Sequence, residues 1–240
     1  MPRKSLVSQV AETVLDQIVR GELPVGGPLP TEAELCEAHG VSRVTLREAL
    51  KTLQAQNVVR AAPGVGSYVN PVGEWTGLEA VLRATSAGAG EDLTPVHLVE
   101  VRRMIETGAA ALAATHHDAA DLEQLQELLE RMRGAHERAD VPGFVAADIA
   151  FHDVLLRASR NPFVAVLLEP LSRVLREKRE QTSAVPQIQA HAVEQHALVL
   201  EGVRSGDPER ARRAMDAHLQ QTADDLRRYV LTPPGPTPPG

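Results

Sequence analysis

Aromatic residues are scarce in this 240-residue chain: one Trp, two Tyr and three Phe, 2% of the whole. Hydrophobic residues nonetheless make up 43%, so the chain can bury a core, and that core must be built from Leu, Val, Ile and Ala. Such a composition favours packed helices. Cysteine occurs once, at Cys36, which excludes an intramolecular disulfide framework and a cysteine zinc cluster. Between Leu35 and Glu37 on an expected helix, it reads as a small buried thiol. No run approaches the roughly 18 apolar residues of a membrane span. Met1-Pro2-Arg3-Lys4-Ser5 leads into an amphipathic segment and not the apolar centre of a signal peptide. A cytoplasmic protein with no membrane partner is expected.

Positive charge is also in deficit: the net charge is −7. The sum argues against a nucleic-acid partner, but the distribution does not. Between Gly40 and Asn70 stand Arg43, Arg47, Lys51 and Arg60 against Glu48 alone. A local basic face on an acidic chain can bind phosphates, while the excess acid elsewhere limits non-specific adhesion.

Apolar spacing places a helix over about 6–20, with Leu6, Val10, Val14 and Ile18 on one face and Gly21 as its stop. After a Pro/Gly-rich loop, Thr31 and Glu34 form a capping box for a second helix that ends at Gly40. Ser42 caps a third, from Arg43 to about Gln56. Two short helices around a Gly-containing turn are the helix-turn-helix pattern. Val58–Ala61 and Ser67–Val69 read as strands around the turn-forming Pro63-Gly64-Val65-Gly66, making a hairpin wing.

The expected organisation is a winged helix-turn-helix domain over 1–71 and a linker with one weak helix over 72–92. An all-helical domain follows over 93–231, then a disordered Pro/Gly tail over 232–240. Within the helical domain, breaks at Asp140, Asn161-Pro162, Pro186 and Ser205–Pro208 divide six helices. They fall at about 95–115, 118–138, 142–159, 162–183, 187–205 and 208–230, an antiparallel bundle. The fold class is therefore mainly α with one small β-hairpin.

In the third helix, Leu46, Ala49, Leu50 and Leu53 form the inward stripe, while Arg43, Arg47, Lys51 and Gln54 lie opposite. A guanidinium near the start of such a helix can reach a guanine edge bidentately while its neighbours contact phosphates. The competing reading is an ordinary solvated charged face; the capped helix before it and the hairpin after it favour DNA.

Residues 6–70 resemble the winged-helix domain of the GntR family of bacterial regulators. The resemblance rests on Ile18-Val19-Arg20-Gly21-Glu22-Leu23, Leu29-Pro30-Thr31-Glu32, Val41-Ser42-Arg43, Leu46-Arg47-Glu48-Ala49-Leu50 and Gly64-Val65-Gly66-Ser67-Tyr68-Val69. It implies DNA contacts by Arg43, Arg47 and the wing glycines Gly64 and Gly66. With Ser42, Thr45 and Lys51, these form the expected DNA-binding set. Ala33 stands where the family often carries a contacting Arg.

The helical domain has its own chemistry. Asp148 and His152, at i and i+4, project from one helix face. His196 lies among Val193, Ala197 and Leu200, and His218 aligns with Ala211, Ala214, Met215 and Thr222. Three inward imidazoles and one carboxylate make a divalent metal site of the Zn, Ni or Mn type. Each histidine taken singly would read as a satisfied core residue. His39, His97, His116, His117, His136 and His191 read as solvated or capping.

Residues 95–225 are similar to the FCD ligand-binding domain of the FadR-like branch of the same family. Its metal-binding members use one Asp and three His, matched here by Asp148, His152, His196 and His218. Gln195 departs from the Glu common before the second of those histidines. In resembling proteins an Arg at the position of Arg102 can face the effector; the alternative is a surface pair of Arg102 or Arg103 with Glu106. Together these imply a homodimeric regulator, usually a repressor, on pseudo-palindromic double-stranded operator DNA, controlled by a small carboxylate. One alternative is a metal-free apolar or acyl effector. Another, a helical metal-dependent phosphohydrolase, rests on the doublets His117-Asp118 and His152-Asp153.

Overall fold

A computed structural model describes residues 5–62, 66–87, 94–164, 166–168, 179–180 and 182–231. The chain divides into two compact units at Asp92/Leu93. Gly64, the tail 232–240 and most of the expected helix over 162–183 lie outside the described residues.

In the first unit, α1 (Leu6–Val19) buries Val10, Val14, Leu15 and Ile18. The second helix, α2 (Glu32–His39), starts with the Thr31/Glu34 capping box and stops at Gly40, whose φ of 62° ends the helix in the left-handed conformation. Ser42 then accepts the Thr45 backbone N–H and opens α3 (Arg43–Ala55), whose buried stripe is Leu46, Ala49, Leu50 and Leu53. Strands β1 (Val59–Ala62) and β2 (Gly66–Val69) pair antiparallel, with Val59 opposite Val69 and Arg60 opposite Tyr68.

The loop before α2 does more than connect. Leu29 N–H donates to the Ser67 carbonyl at 2.7 Å and Val69 N–H donates to the Gly27 carbonyl at 2.9 Å. The loop thus covers the outer edge of β2 and leaves the wing better anchored than a bare two-stranded ribbon.

Beyond the hairpin, Trp75 is buried and its indole N–H donates to the Asn70 carbonyl at 2.9 Å. The weak helix expected in this stretch is α4 (Leu78–Ser86); it packs on α1, with Arg83 paired to Asp16 at 2.7 Å. Trp75 and Ala80 share one core with α1 and α3. Cys36 is partly buried against that core.

The second unit contains α5 (Thr94–His116), α6 (Ala119–Glu137), α7 (Val141–Ala158), α8 (Pro186–Arg204) and α9 (Pro208–Asp225), the last continued by a π-helical turn over Leu226–Leu231. Asp118, Asp140 and Asp207 cap α6, α7 and α9 through backbone N–H groups. Neighbours pack as α5 on α9, α6 on α7 and α8 on α9. Leu125, Leu129, Phe151, Leu155, Leu200, Met215 and Leu219 form the core. Gly202 lets α8 and α9 approach closely: a Cβ there would lie 2.9 Å from Ala211 Cα.

Candidate nucleic-acid interface and candidate metal centre

Along α3 the structure places Arg43, Arg47 and Lys51 at the surface, opposite the buried stripe. Arg47 is held: its guanidinium makes an ion pair with Glu32 of α2 at 2.9 Å. Lys51 pairs with Glu48 at 2.8 Å within its own helix. Arg43, at the first turn, makes no ion pair among the described residues. Ser42 and Thr45 are engaged in the cap, their hydroxyls 2.9 Å apart. In the wing, Gly66 has a φ of 126°, a conformation that disfavours any side chain, and Arg60 lies 5.4 Å from the centre of the Tyr68 ring.

The second unit gathers its polar residues inside. His152 on α7, His196 on α8 and His218 on α9 are all buried, and each offers a ring nitrogen within 4.8 Å of the other two. Their rings form one cluster, with His196 and His218 centroids 4.4 Å apart and Phe151 edge-on to His196 at 4.7 Å. Asp148, one turn before His152, points its Oδ1 to within 3.1 Å of His196 Nε2 and 3.9 Å of His152 Nε2. Its Oδ2 accepts from Arg179 Nη1.

The proton positions follow from the partners. His196 Nδ1–H donates to the Ala192 carbonyl at 2.7 Å, so in the neutral ring Nε2 carries a lone pair. His152 Nδ1 lies 2.7 Å from Glu106 Oε2, which fixes its proton there and leaves Nε2 as the acceptor. Arg102 Nη2 donates to that nitrogen at 3.1 Å. The Nε2 atoms of His196 and His218 are buried without any hydrogen-bond partner. Between His196 Nε2 and Asp148 Oδ1, two acceptors face one another at 3.1 Å without hydrogen-bond geometry. Such a pair repels unless a proton or a metal ion lies between. The donor set, two orphaned imidazole lone pairs beside a carboxylate, therefore fits a divalent metal ion.

Electrostatics keep His152, His218 and Asp148 in the ligating form. Burial lowers the His152 pKa to about 4, with Arg102 and Arg179 adding to the effect and Glu106 opposing it. Burial, with His196 and His152 beside it, holds His218 well below the ordinary histidine value. Burial alone would raise Asp148; the Arg179 guanidinium and the two nearest histidines overcome it and hold the carboxyl well below the usual range. Glu106 is likewise held low against its burial by Arg102 and His152.

Beside the histidines is a cavity of about 50 Å³ walled by Val99, Arg102, Arg179, Thr182, Thr222 and Asp225, among others. A smaller one of about 10 Å³ runs along Glu106, His152, Asp153 and Arg179. Arg102 does pair with Glu106, at 2.6 Å, but in the interior and not at the surface. The surface arginine is Arg103, which pairs with Asp216 at 2.5 Å.

Sequence reasoning missed Glu106 as the partner of a candidate ligand and missed Arg179 altogether. Glu106 had a signal, its i+4 spacing from Arg102; Arg179 stands in the charged run Arg176-Glu177-Lys178-Arg179-Glu180, which carries no local mark of burial. Among the other histidines, His136 bonds Gln189 at 3.0 Å and His191, still 38% exposed, bonds Asp225 at 3.0 Å, each bridging two elements. Asp118 of the first His-Asp doublet is the α6 cap.

The model of the family described as bacterial regulatory proteins, gntR family, matches residues 6–69, and the FCD domain model matches residues 97–221. The chain is 34% identical over 218 residues to the HTH-type transcriptional regulator LutR of Bacillus subtilis, covering 88% of this chain and 97% of that one. It is 29% identical to the galactonate operon transcriptional repressor of Escherichia coli, over 92% and 95% of the two chains. A solved structure of Lar, which controls the agr system of Listeria monocytogenes, shares the fold with a TM-score of 0.63 at 22% identity, over 95% of this chain and all of the other. Among the described residues no helix is long and apolar enough to cross a membrane.

Proposed function

The chain belongs to the gntR family of bacterial regulatory proteins and carries that family's FCD domain, and we propose from this that it is an effector-controlled repressor whose FCD domain binds a divalent metal ion and a small organic acid. The observation that carries the effector half of this reading is the buried trio His152, His196 and His218, with two orphaned Nε2 atoms, beside a cavity that also holds two guanidiniums.

His152, His196, His218 and Asp148 would hold the ion, a Zn, Ni or Mn type by its nitrogen-rich donor set. When bound, the ion supplies a Lewis-acid anchor for an acid's oxygen atoms. The chain's own residues do the rest. Glu106 and the Ala192 carbonyl fix the tautomers of His152 and His196 and leave the lone pair of each on Nε2; on His152 that lone pair accepts from Arg102 Nη2, a bond an ion there would replace. Arg102 and Arg179 give the cavity wall a positive side suited to a carboxylate.

In the first unit, Arg43, Arg47, Lys51, Ser42, Thr45 and the wing glycines Gly64 and Gly66 are the DNA-binding set. Arg43 and Arg47 read base edges in the major groove, and the others address phosphates. Two copies of the chain, as a homodimer in the cytoplasm, would read the two halves of a pseudo-palindrome. Whatever factor the acid changes in operator affinity, the operator changes in acid affinity.

The test is in vitro selection of duplexes from a random pool. Titration of the selected duplex with and without metal and a panel of organic acids follows. A selected palindrome whose affinity falls with one acid, only in metal-loaded protein, is expected. Recovery of no sequence, or an affinity indifferent to every acid and metal, would overturn the reading.

A further inference from the structure

We propose that Arg179, ahead of Arg102, is the residue that receives the carboxylate of the effector. The inference rests on the reading of the FCD domain as an organic-acid sensor and assigns the group that recognises the acid.

A guanidinium has five N–H donors in a planar fork, and inside a protein they need partners. Arg102 is committed on three of its five donors: Nε donates to Glu106 Oε1, and Nη2 donates to Glu106 Oε2 and to His152 Nε2, the last a bond that an ion on His152 would replace. Its job in this arrangement is to orient Glu106 and His152. Arg179 differs. Its side chain is only 12% exposed, yet among the described residues it makes one hydrogen bond, from Nη1 to Asp148 Oδ2. Among those residues no partner stands against Nε or Nη2.

Arg179 is also the one described residue that lines both cavities, the larger one with Val99, Thr182 and Thr222 and the smaller one along Glu106 and His152. A cation with a single hydrogen bond among the described residues, lining two partly open cavities, is placed to take a planar oxyanion edge-on. The geometry also links the two ligands of the domain. Asp148 Oδ1 faces the histidines while Oδ2 is tied to Arg179, so the same guanidinium orients the carboxylate toward the ion position and faces the acid.

The experiment uses full-length protein loaded with Zn²⁺ or Ni²⁺ and titrated with acetate, lactate, gluconate and succinate. Acid binding is followed by calorimetry and thermal shift, and metal content is measured in parallel. Arg179→Lys keeps a positive charge near Asp148 but lacks the fork. It should retain stoichiometric metal and lose acid affinity roughly ten- to a hundredfold, the loss of a charge-assisted bidentate contact. Arg179→Gln should lose at least as much. Arg102→Lys should change acid affinity by only a few-fold.

Wild-type acid affinity in Arg179→Lys overturns the assignment, as does a larger loss in Arg102→Lys than in Arg179→Lys. A wild-type protein that binds metal but none of the acids overturns the effector reading and this assignment with it. Acids that bind equally without metal, and lose affinity in Arg179→Lys, sink the metal reading and support Arg179.

Discussion

Arg47→Ala removes one partner of an ion pair whose side chains, Arg47 and Glu32, are 63% and 42% exposed. Exposed pairs of this kind contribute about 0.2–1 kcal/mol, because water screens the attraction and two long side chains must be held still. For a unit of this size that corresponds to a Tm change of a few degrees, about 5 °C at most. The cost to DNA binding is different in kind. A good bidentate contact to a base is worth about 1–3 kcal/mol, and a dimer would lose two of them. Affinity for the specific operator should therefore fall by about 30-fold to roughly 10⁴-fold, with little change in binding to random duplex.

Glu32→Ala, which frees the same guanidinium, should leave specific affinity intact or raise it. Fluorescence anisotropy on specific and random duplexes, with melting curves by circular dichroism, measures all of these. An Arg47→Ala protein with near-wild-type operator affinity, or one that fails to fold, would refute the assignment of this face.

Further outcomes follow from the helical unit. His218→Ala should abolish stoichiometric binding of Zn²⁺ or Ni²⁺ measured by competition with a chromophoric chelator; undiminished metal content would remove His218 from the donor set. Metal-free protein should lose stability as pH falls from the ordinary histidine value of 6.5 to about 4. His152 stays neutral in the fold over that window while the unfolded chain takes up the proton, an effect of about 3 kcal/mol. Urea midpoints that do not move between pH 7 and pH 5 would contradict it. Glu106→Gln leaves Arg102 charged and half-partnered in the interior and should destabilise the domain by about 3–5 kcal/mol, readable as a lowered urea midpoint. Gly202→Ala places a methyl 2.9 Å from Ala211 Cα, so α8 and α9 must part, at a cost of about 1–3 kcal/mol; an unchanged melting curve would show that the contact yields.

The residues that were legible in the sequence are those whose role is written in local spacing. Ser42, Thr31 and Glu34 announce helix starts, Gly40 announces a stop, and Leu46, Ala49, Leu50 and Leu53 reveal the buried side of α3. Inward placement of His152, His196 and His218 follows from the same periodicity, since each stands in line with apolar neighbours on its own helix. Partners brought together by tertiary packing left no such mark. Glu32 holds Arg47 across two helices, Leu29 and Gly27 pair with β2, and Arg179 meets Asp148 31 residues away. Nothing in a charged run tells which member turns inward, because burial there is decided by the helix it packs on and not by its neighbours in sequence.

The lone Trp75, buried in the core of the first unit, gives that half of the molecule a built-in optical probe, because the second unit has no tryptophan of its own. Excitation of the indole reports on the environment shared by α1, α3 and the stretch after the wing, with no dye and no labelling. Emission recorded while metal or an acid is added to the unlabelled protein therefore listens for any message from the histidines of the second unit at the half of the chain that carries Arg43 and Arg47.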